Sequence, residues 1–391
     1  MPGSKQRGVE VIVAGHMCLD IIPEMRQSGF RFVPGTLEEV GPATVTLGGC
    51  VSNTGLALKK LGAEVHLVAK IGTDPLGDLL QLELRKFGEI GSALTRSPGE
   101  STSYSVLISP QGADRMVLHY RGTNDSFSTD DVISALSQPA QIFHFGYPPL
   151  MRKMFENEGR ELEQIFRQAK REGLLTSLDM AYPDPDSPAG HADWSRITAR
   201  VLPYVDIFCP SYEELACMLR PEMSSSLLAH GSEALANVDT NTLGELSEIA
   251  CRMGAAVVAI KLGNRGLYVR TNHSERLRSA GPDIHFEGWA NRELWTSVFK
   301  VKVVGTTGAG DATVAGFLYG ILRGLPVEQV CRVACAVGAC NVEAADATSG
   351  IVSFKGVEQR LRSGWEQEAC SAGKAWHAIL PGVFAGPNDR K

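Results

Sequence analysis

The stretch GTTGAGDAT, residues 305–313, sets small residues and an acid at the start of a helical pattern. It looks like a phosphate loop but contains no Lys. The continuing DATVAGFLYGILRG carries Val314, Phe317, Leu318, Ile321 and Leu322 at helical spacing and stops at Gly324, so Asp311 falls in or beside the first turn of a helix. Gly308, Ala309 and Gly310 then lie at the helix N-terminus, where backbone N–H groups lack intrahelical partners and the helix dipole adds partial positive charge. That makes an anion site without a Lys, and small side chains let a phosphate reach the backbone. A carboxylate there binds phosphate poorly, yet it is well placed to take a proton from a hydroxyl that attacks phosphorus. The same Asp can equally be a helix cap, worth about 0.5–2 kcal/mol, and the nonapeptide alone does not separate the two readings.

Other stretches add candidates. GGCVSNTGLALKKLG (48–62) puts Gly48 and Gly49 before a helix with Asn53 in its first turn, which can face a ligand or simply turn the chain. GHMCLD (15–20) is read as closing the first strand with Asp20, and ligands of open α/β sheets lie at the carboxyl ends of strands. KIGTDPLGD (70–78) is a further Gly, Asp and Pro cluster, and KLGNRG (261–266) reads as a hairpin turn with glycines and cations.

These positions need a scaffold, and the chain is long enough to supply one. Its 391 residues are 43% hydrophobic, which argues for a large buried core. The formal charge of −6 comes from 44 acidic and 38 basic residues mixed along the chain, so no basic field selects nucleic acid or anionic lipid. A small molecule is the expected partner. Nine scattered cysteines without a C-x-x-C pair argue for free thiols rather than a zinc site, and Cys331 and Cys335 suit a buried helix face. Glu10 and Asp20 interrupt the N-terminal apolar run, no signal peptide is read, and no stretch approaches the roughly 18 apolar residues of a bilayer span. A cytoplasmic protein is expected.

Short β-branched runs alternate with helical patterns: 9–15, 52–62, 64–72, 75–88, 141–146, 156–172, 174–180, 205–210, a helix opening near Ser211, and 255–263. The alternation predicts an α/β fold, a doubly wound and mainly parallel sheet with helices on both faces. Residues 21–48 and 102–121 break the rhythm with β-type runs and no intervening helix, and PQGAD (110–114) reads as a hairpin turn. They predict a small projecting sheet, a lid on one main domain spanning 1–391. Residues 182–190 and 220–241 read as loops or insertions.

Together these stretches resemble the ribokinase-like, or phosphofructokinase-B type, family of sugar kinases over roughly residues 9–355. TTGAGDATVAGF (306–317) is the specific signature, and GGCVSNTGLALKKLGAEVHLVAKIGTDPLGD (48–78) precedes it in the expected order. The resemblance implies that Asp311 is the catalytic base and that the amides of Gly308, Ala309 and Gly310 form the anion hole. It implies that Asp20 and Asn53 hold substrate hydroxyls over Gly48 and Gly49, and that Lys261, Gly263 and Gly266 contribute to the nucleotide site. Glu214 matches an acid that helps place Mg²⁺, although Ser211 stands where the family has Asn. Gly305 replaces an Asp linked to a monovalent cation, which puts potassium activation in doubt.

The expected function is an ATP-dependent, Mg²⁺-requiring transfer of phosphate to a hydroxyl of a small sugar. One rival is a nucleoside kinase, its base held by Phe30, Phe32, Tyr104 or Tyr120. The other is a ligand-sensing protein that keeps the fold without turnover. A homodimer through the lid is also entertained.

Overall fold

The computed structural model describes residues 8–25, 34–88, 90–109, 116–223, 235, 238–281, 286–369 and 372–390. Two separate sheets organise them. The larger comprises β1 (Val11–Gly15), β4 (Val65–Gly72), β5 (Gly91–Ser97), β8 (Ile142–Gly146), β9 (Leu175–Asp179), β10 (Ile207–Phe208), β11 (Val257–Lys261), β12 (Leu267–Thr271), β13 (Glu293–Thr296), β14 (His377–Leu380) and β15 (Val383–Ala385). The smaller comprises β2 (Cys18–Pro23), β3 (Ala43–Gly48), β6 (Tyr104–Ile108) and β7 (Met116–Tyr120).

In the large sheet β5, β4, β1, β8, β9, β10 and β11 run parallel in that spatial order, and β12, β13, β15 and β14 extend it antiparallel. The parallel strands are apolar on both sides because both sides are covered. Along β1, Val11 and Val13 join one core while Ile12 and Ala14 join the other, and β11 divides Val257 and Ala259 from Val258 and Ile260 in the same way. Chain order reverses at β1, between β4 and β8, which is the switch point where such sheets place ligands.

The helix Cys50–Leu61 and the helix Ala309–Leu322 lie on the same side and contact each other. Cys331 and Cys335 are buried in the helix Val327–Asn341, as their spacing implies. The turn at 110–114 and Phe30 and Phe32 lie outside the described residues, as does most of 220–241.

One expectation is corrected. Asp20 does not close the first strand: β1 ends at Gly15, and after His16 and Met17 the chain enters β2, where Asp20 is an interior residue of the small sheet. That sheet therefore begins at Cys18, ahead of the expected boundary. Thr46, Asp20, Ser105 and His119 are cross-strand partners in one row, and such partners share a face. Tyr104 and Tyr120 pair on the opposite face, with ring centroids 5.7 Å apart.

Candidate active site

Consecutive parallel strands deliver their last residues to one edge. Gly15, Gly146 and Asp179 are in register across β1, β8 and β9. Lys261 ends β11 and bridges to Ser211, which follows β10. His16 and Tyr147 are the next residues after β1 and β8. Residues scattered over 250 positions thus meet through sheet register.

The helix with Asp311 opens over this edge. Gly308 is its N-cap with φ 73°, a left-handed turn that a side chain disfavours, and a Cβ there would lie 2.7 Å from that of Ala347. Ala309, Gly310 and Asp311 are its first three residues; the Ala309 N–H donates to the Thr306 carbonyl at 3.3 Å, and the amides of Gly310 and Asp311 have no intrahelical partner. The Asp311 carboxylate is buried and does not cap its own helix. It accepts from Asn53 Nδ2 at 3.0 Å, Thr54 Oγ1 at 3.3 Å and the Tyr147 hydroxyl at 2.9 and 2.8 Å. Burial raises its pKa above the usual carboxylate range, and the Asn53, Lys261, Tyr147 and Thr54 contacts moderate the rise. A raised carboxylate pKa suits proton uptake once one of these donors gives way.

Gly49 caps the other helix with φ 84°, and a Cβ there would lie 2.6 Å from His16 Nδ1. A Cβ on Gly48 would meet the Asp20 carboxylate at 2.4 Å, so Asp20 sits directly against the Gly-Gly turn although it belongs to the small sheet. Asn53 gives its amide N–H to Asp311 and keeps Oδ1 buried without a partner. His16 Nδ1 is likewise buried without a partner, while its Nε2 meets His119 Nε2 at 3.3 Å. Burial, then His119 and Arg121, lower the His16 pKa; burial and then Arg121 bring that of His119 to about 4, so both imidazoles are neutral at pH 7. Arg121 stacks over Phe155 and donates to Ser187 Oγ at 3.4 Å, with no acidic partner among the described residues.

On the other side of Asp311, Lys261 Nζ lies 2.5 Å from Asp179 Oδ1 and would be 3.6 Å from a Cβ on Gly310. Burial opposes its charge, but Asp179 and Glu214 more than offset this, so Lys261 stays protonated. Thus the cation missing from the loop arrives from β11. Gly263 and Gly266 form the turn between β11 and β12; the Gly266 Cα faces the Thr296 carbonyl rather than Asp311.

Glu214 and Ser211 form a capping box for the helix Tyr212–Leu219, with Ser211 N–H donating to Glu214 Oε2 at 2.6 Å. Ser in place of Asn therefore keeps the helix start. Burial pushes the Glu214 pKa up to about 8, with Lys261 opposing and Asp179 adding to the rise. Asp179 is pushed to about 6 by burial, and its Oδ2 has no partner. Among the described residues no group of three or more His, Cys, Asp or Glu could hold a metal. Asp179 and Glu214 both face Lys261, and a Mg²⁺ that keeps its waters would need only one or two such carboxylates.

The Glu214 proton has a testable consequence. Because the folded pKa of about 8 exceeds the ordinary 4.5, the proton's stabilisation is complete below 4.5 and is lost as pH rises through 8. Glu214→Gln keeps a capping acceptor and removes the titration. Between about pH 6 and pH 9 the melting temperature of the wild type should fall more steeply than that of the variant. Equal slopes would assign the pH dependence to other groups.

Sequence reasoning had no hold on Tyr147, His16, His119 or Asp179. Asp179 ends a strand, the signal applied to Asp20, and could have been found by it. A surface concavity of about 870 Å³ between the helix Thr240–Met253, β12 and Trp376 includes none of this cluster.

A doubly wound sheet with an acid on a helix N-terminus at its carboxyl edge, and a separate small sheet alongside, defines the ribokinase-like fold. A solved ribokinase from Arabidopsis thaliana, complexed with ribose and ATP, matches with a TM-score of 0.68 at 19% identity, covering 91% of this chain and 99% of its own. The pfkB family carbohydrate kinase profile matches residues 10–353, and the chain belongs to that family. An uncharacterized sugar kinase of Archaeoglobus fulgidus is 25% identical over 296 residues, 76% of this chain and 98% of that one. The 2-dehydro-3-deoxygluconokinase of Bacillus subtilis is 27% identical over 334 residues, 81% of this chain and 87% of that one. The chain is accordingly a sugar kinase, a phosphotransferase with an alcohol acceptor.

Proposed function

We propose that the protein transfers the γ-phosphoryl group of ATP to a hydroxyl of a small sugar, with Asp311 as the general base. The observation that carries this is the Asp311 carboxylate, fixed by Asn53 and Thr54 in the first turn of the helix that Gly308, Ala309 and Gly310 open. The acceptor oxygen bonds to the γ-phosphorus as the bond to the β,γ-bridging oxygen breaks and ADP leaves, and the acceptor's proton passes to Asp311. Charge spreading over the transferring phosphoryl meets the helix N-terminus and the Lys261 ammonium, so catalysis is positioning and charge stabilisation. Asp20 and Asn53 Oδ1 accept from sugar hydroxyls above Gly48 and Gly49. Lys261, Gly263 and Gly266 belong to the nucleotide side, and Glu214 with Asp179 would hold a Mg²⁺, which would neutralise phosphate charge. Gly305 faces the Ala344 and Ala345 carbonyls, a side chain there would lie 3.0 and 2.9 Å from them, and the reading includes no strong potassium dependence.

A sugar is favoured over a nucleoside by the face of the small sheet that carries Asp20. It presents Thr46, Asp20, Ser105 and His119, whereas Tyr104 and Tyr120 lie on the other face and cannot stack over the same ligand. We read this sheet as the lid of a single 1–391 unit. Its edge strand β7 exposes Met116, Val117, Leu118 and Tyr120, which suits a homodimer through the lid. Among the described residues no helix is long and apolar enough to cross a membrane. A cytoplasmic setting agrees with eight described cysteines that are free thiols.

The test is ADP formation with ATP and Mg²⁺ across neutral sugars, sugar acids, sugar phosphates and nucleosides. Sugar acids belong in the set because Arg121, which acts on His16 and His119, has no acidic partner among the described residues. Activity is expected with a sugar and not with nucleosides. Asp20→Ala should raise the sugar KM by about 10–100-fold, the loss of a charged hydrogen bond, and leave the ATP KM within about twofold. Equal loss for both substrates would contradict the division of the site.

A further inference from the structure

Tyr147 directly follows β8 with φ 65° and ψ 46°, a left-handed conformation that bulky residues seldom adopt. Its N–H donates to the Asp179 carbonyl at 3.2 Å, its carbonyl accepts from Leu150 N–H at 3.0 Å, and the buried Pro148 and Pro149 follow it. Strain of this kind persists where the surroundings over-determine it, commonly at sites that switch. Its product here is the position of the phenol, 2.9 Å from one Asp311 oxygen and 2.8 Å from the other. The single Tyr147 proton is shared between the two oxygens, so with Thr54 on Oδ1 and Asn53 on Oδ2 three donors face the carboxylate. Three donors on a carboxylate with about four acceptor positions leave room for about one more, so a substrate hydroxyl competes with the phenol for Asp311. Burial, then the Asp311 charge, raise the phenol pKa, so Tyr147 acts as a donor.

We propose that Tyr147 stands in for the acceptor hydroxyl before a sugar binds, occupying the base and withholding it from water. The inference rests on the reading of Asp311 as the base. Hydrolysis would need a water oxygen to bond to the γ-phosphorus as the bond from phosphorus to the β,γ-bridging oxygen breaks. ADP would leave, and the water proton would pass to Asp311. With the phenol on both oxygens that proton meets a base already engaged. A sugar hydroxyl competes where water does not, because Asp20 and Asn53 Oδ1 hold the rest of the sugar. Tyr147 is then a positioning residue that acts through Asp311 and couples ATP consumption to the presence of an acceptor.

Tyr147→Phe keeps the ring and removes only the hydroxyl. ADP release without sugar and sugar phosphorylation are measured for the wild type, Tyr147→Phe and Tyr147→Phe with Asp311→Asn, with melting temperatures as the folding control. Acceptor-free ADP release should rise about tenfold in Tyr147→Phe, a part of the 10²–10⁴ that an available base confers, and should collapse in the double variant. Tyr147→Leu carries the same expectation where Phe does not fold. Unchanged or lower acceptor-free release in a variant whose wild type phosphorylates sugar overturns this inference alone, as does a rise that survives Asp311→Asn. A wild type that phosphorylates no sugar overturns the reading of Asp311, and this inference with it.

Discussion

Replacing Asp311 by Asn is expected to lower turnover by about 10²–10⁴ while the protein stays folded. The change keeps the size of the side chain, and one oxygen still accepts from Asn53 or Thr54. Removing a buried carboxylate whose pKa burial already raises lessens the desolvation cost of the folded state. Against that stands the attraction of the helix N-terminus for negative charge, worth about 0.3–1 kcal/mol. The two effects are opposed, so the melting temperature should move little. The catalytic effect has no such compensation, because an amide cannot take the acceptor's proton. A variant that keeps most of its activity would reduce Asp311 to a structural acceptor.

Gly310→Val is expected to cost about 2.7–4 kcal/mol of transition-state stabilisation, a fall of roughly 10²–10³ in kcat. Folding should survive. Gly310 is not among the positive-φ residues, and the nearest atoms to a Cβ there are Lys261 side-chain atoms at 3.6–3.8 Å, ordinary contact distances. The added methyl groups would instead fill the approach to the helix amides and push against the Lys261 amine. A folded, fully active Val variant would remove the amides from the mechanism. Loss of activity with a lowered melting temperature would point to the helix start itself.

Much of the scaffold was legible because its signals are local. The strands at 11–15, 65–72, 142–146, 175–179 and 257–261 are apolar runs bounded by glycines or charges, and the glycines before both helices are readable as turns. The last strands were not read. β13 has four residues, all buried, and β15 has three, too few for any alternation to show. The anion site was legible for the same local reason, since Gly308 to Asp311 are contiguous.

The remainder of the site depends on partners far apart in sequence. Asp20 looked like a strand end because nothing in the apolar run shows that the chain changes sheets at His16 and Met17. Asn53 reads as a ligand for substrate, yet one of its two polar atoms is committed to Asp311, 258 positions away. Lys261 appeared to be a hairpin cation and only the register of β9, β10 and β11 brings it to Asp179 and Gly310. Tyr147 carries no sequence signal, because its importance lies in a left-handed backbone conformation that tyrosine rarely adopts.

The most direct measurement follows the phosphoryl group itself. ATP labelled with heavy oxygen in its γ-phosphate is incubated with Mg²⁺, a sugar from the active set and either the wild type or Asp311→Asn, and the products are read by mass spectrometry. The account predicts labelled sugar phosphate and ADP in equal amounts from the wild type, with almost none from Asp311→Asn. Label found only in inorganic phosphate, or labelled sugar phosphate at equal rates from both proteins, would contradict it.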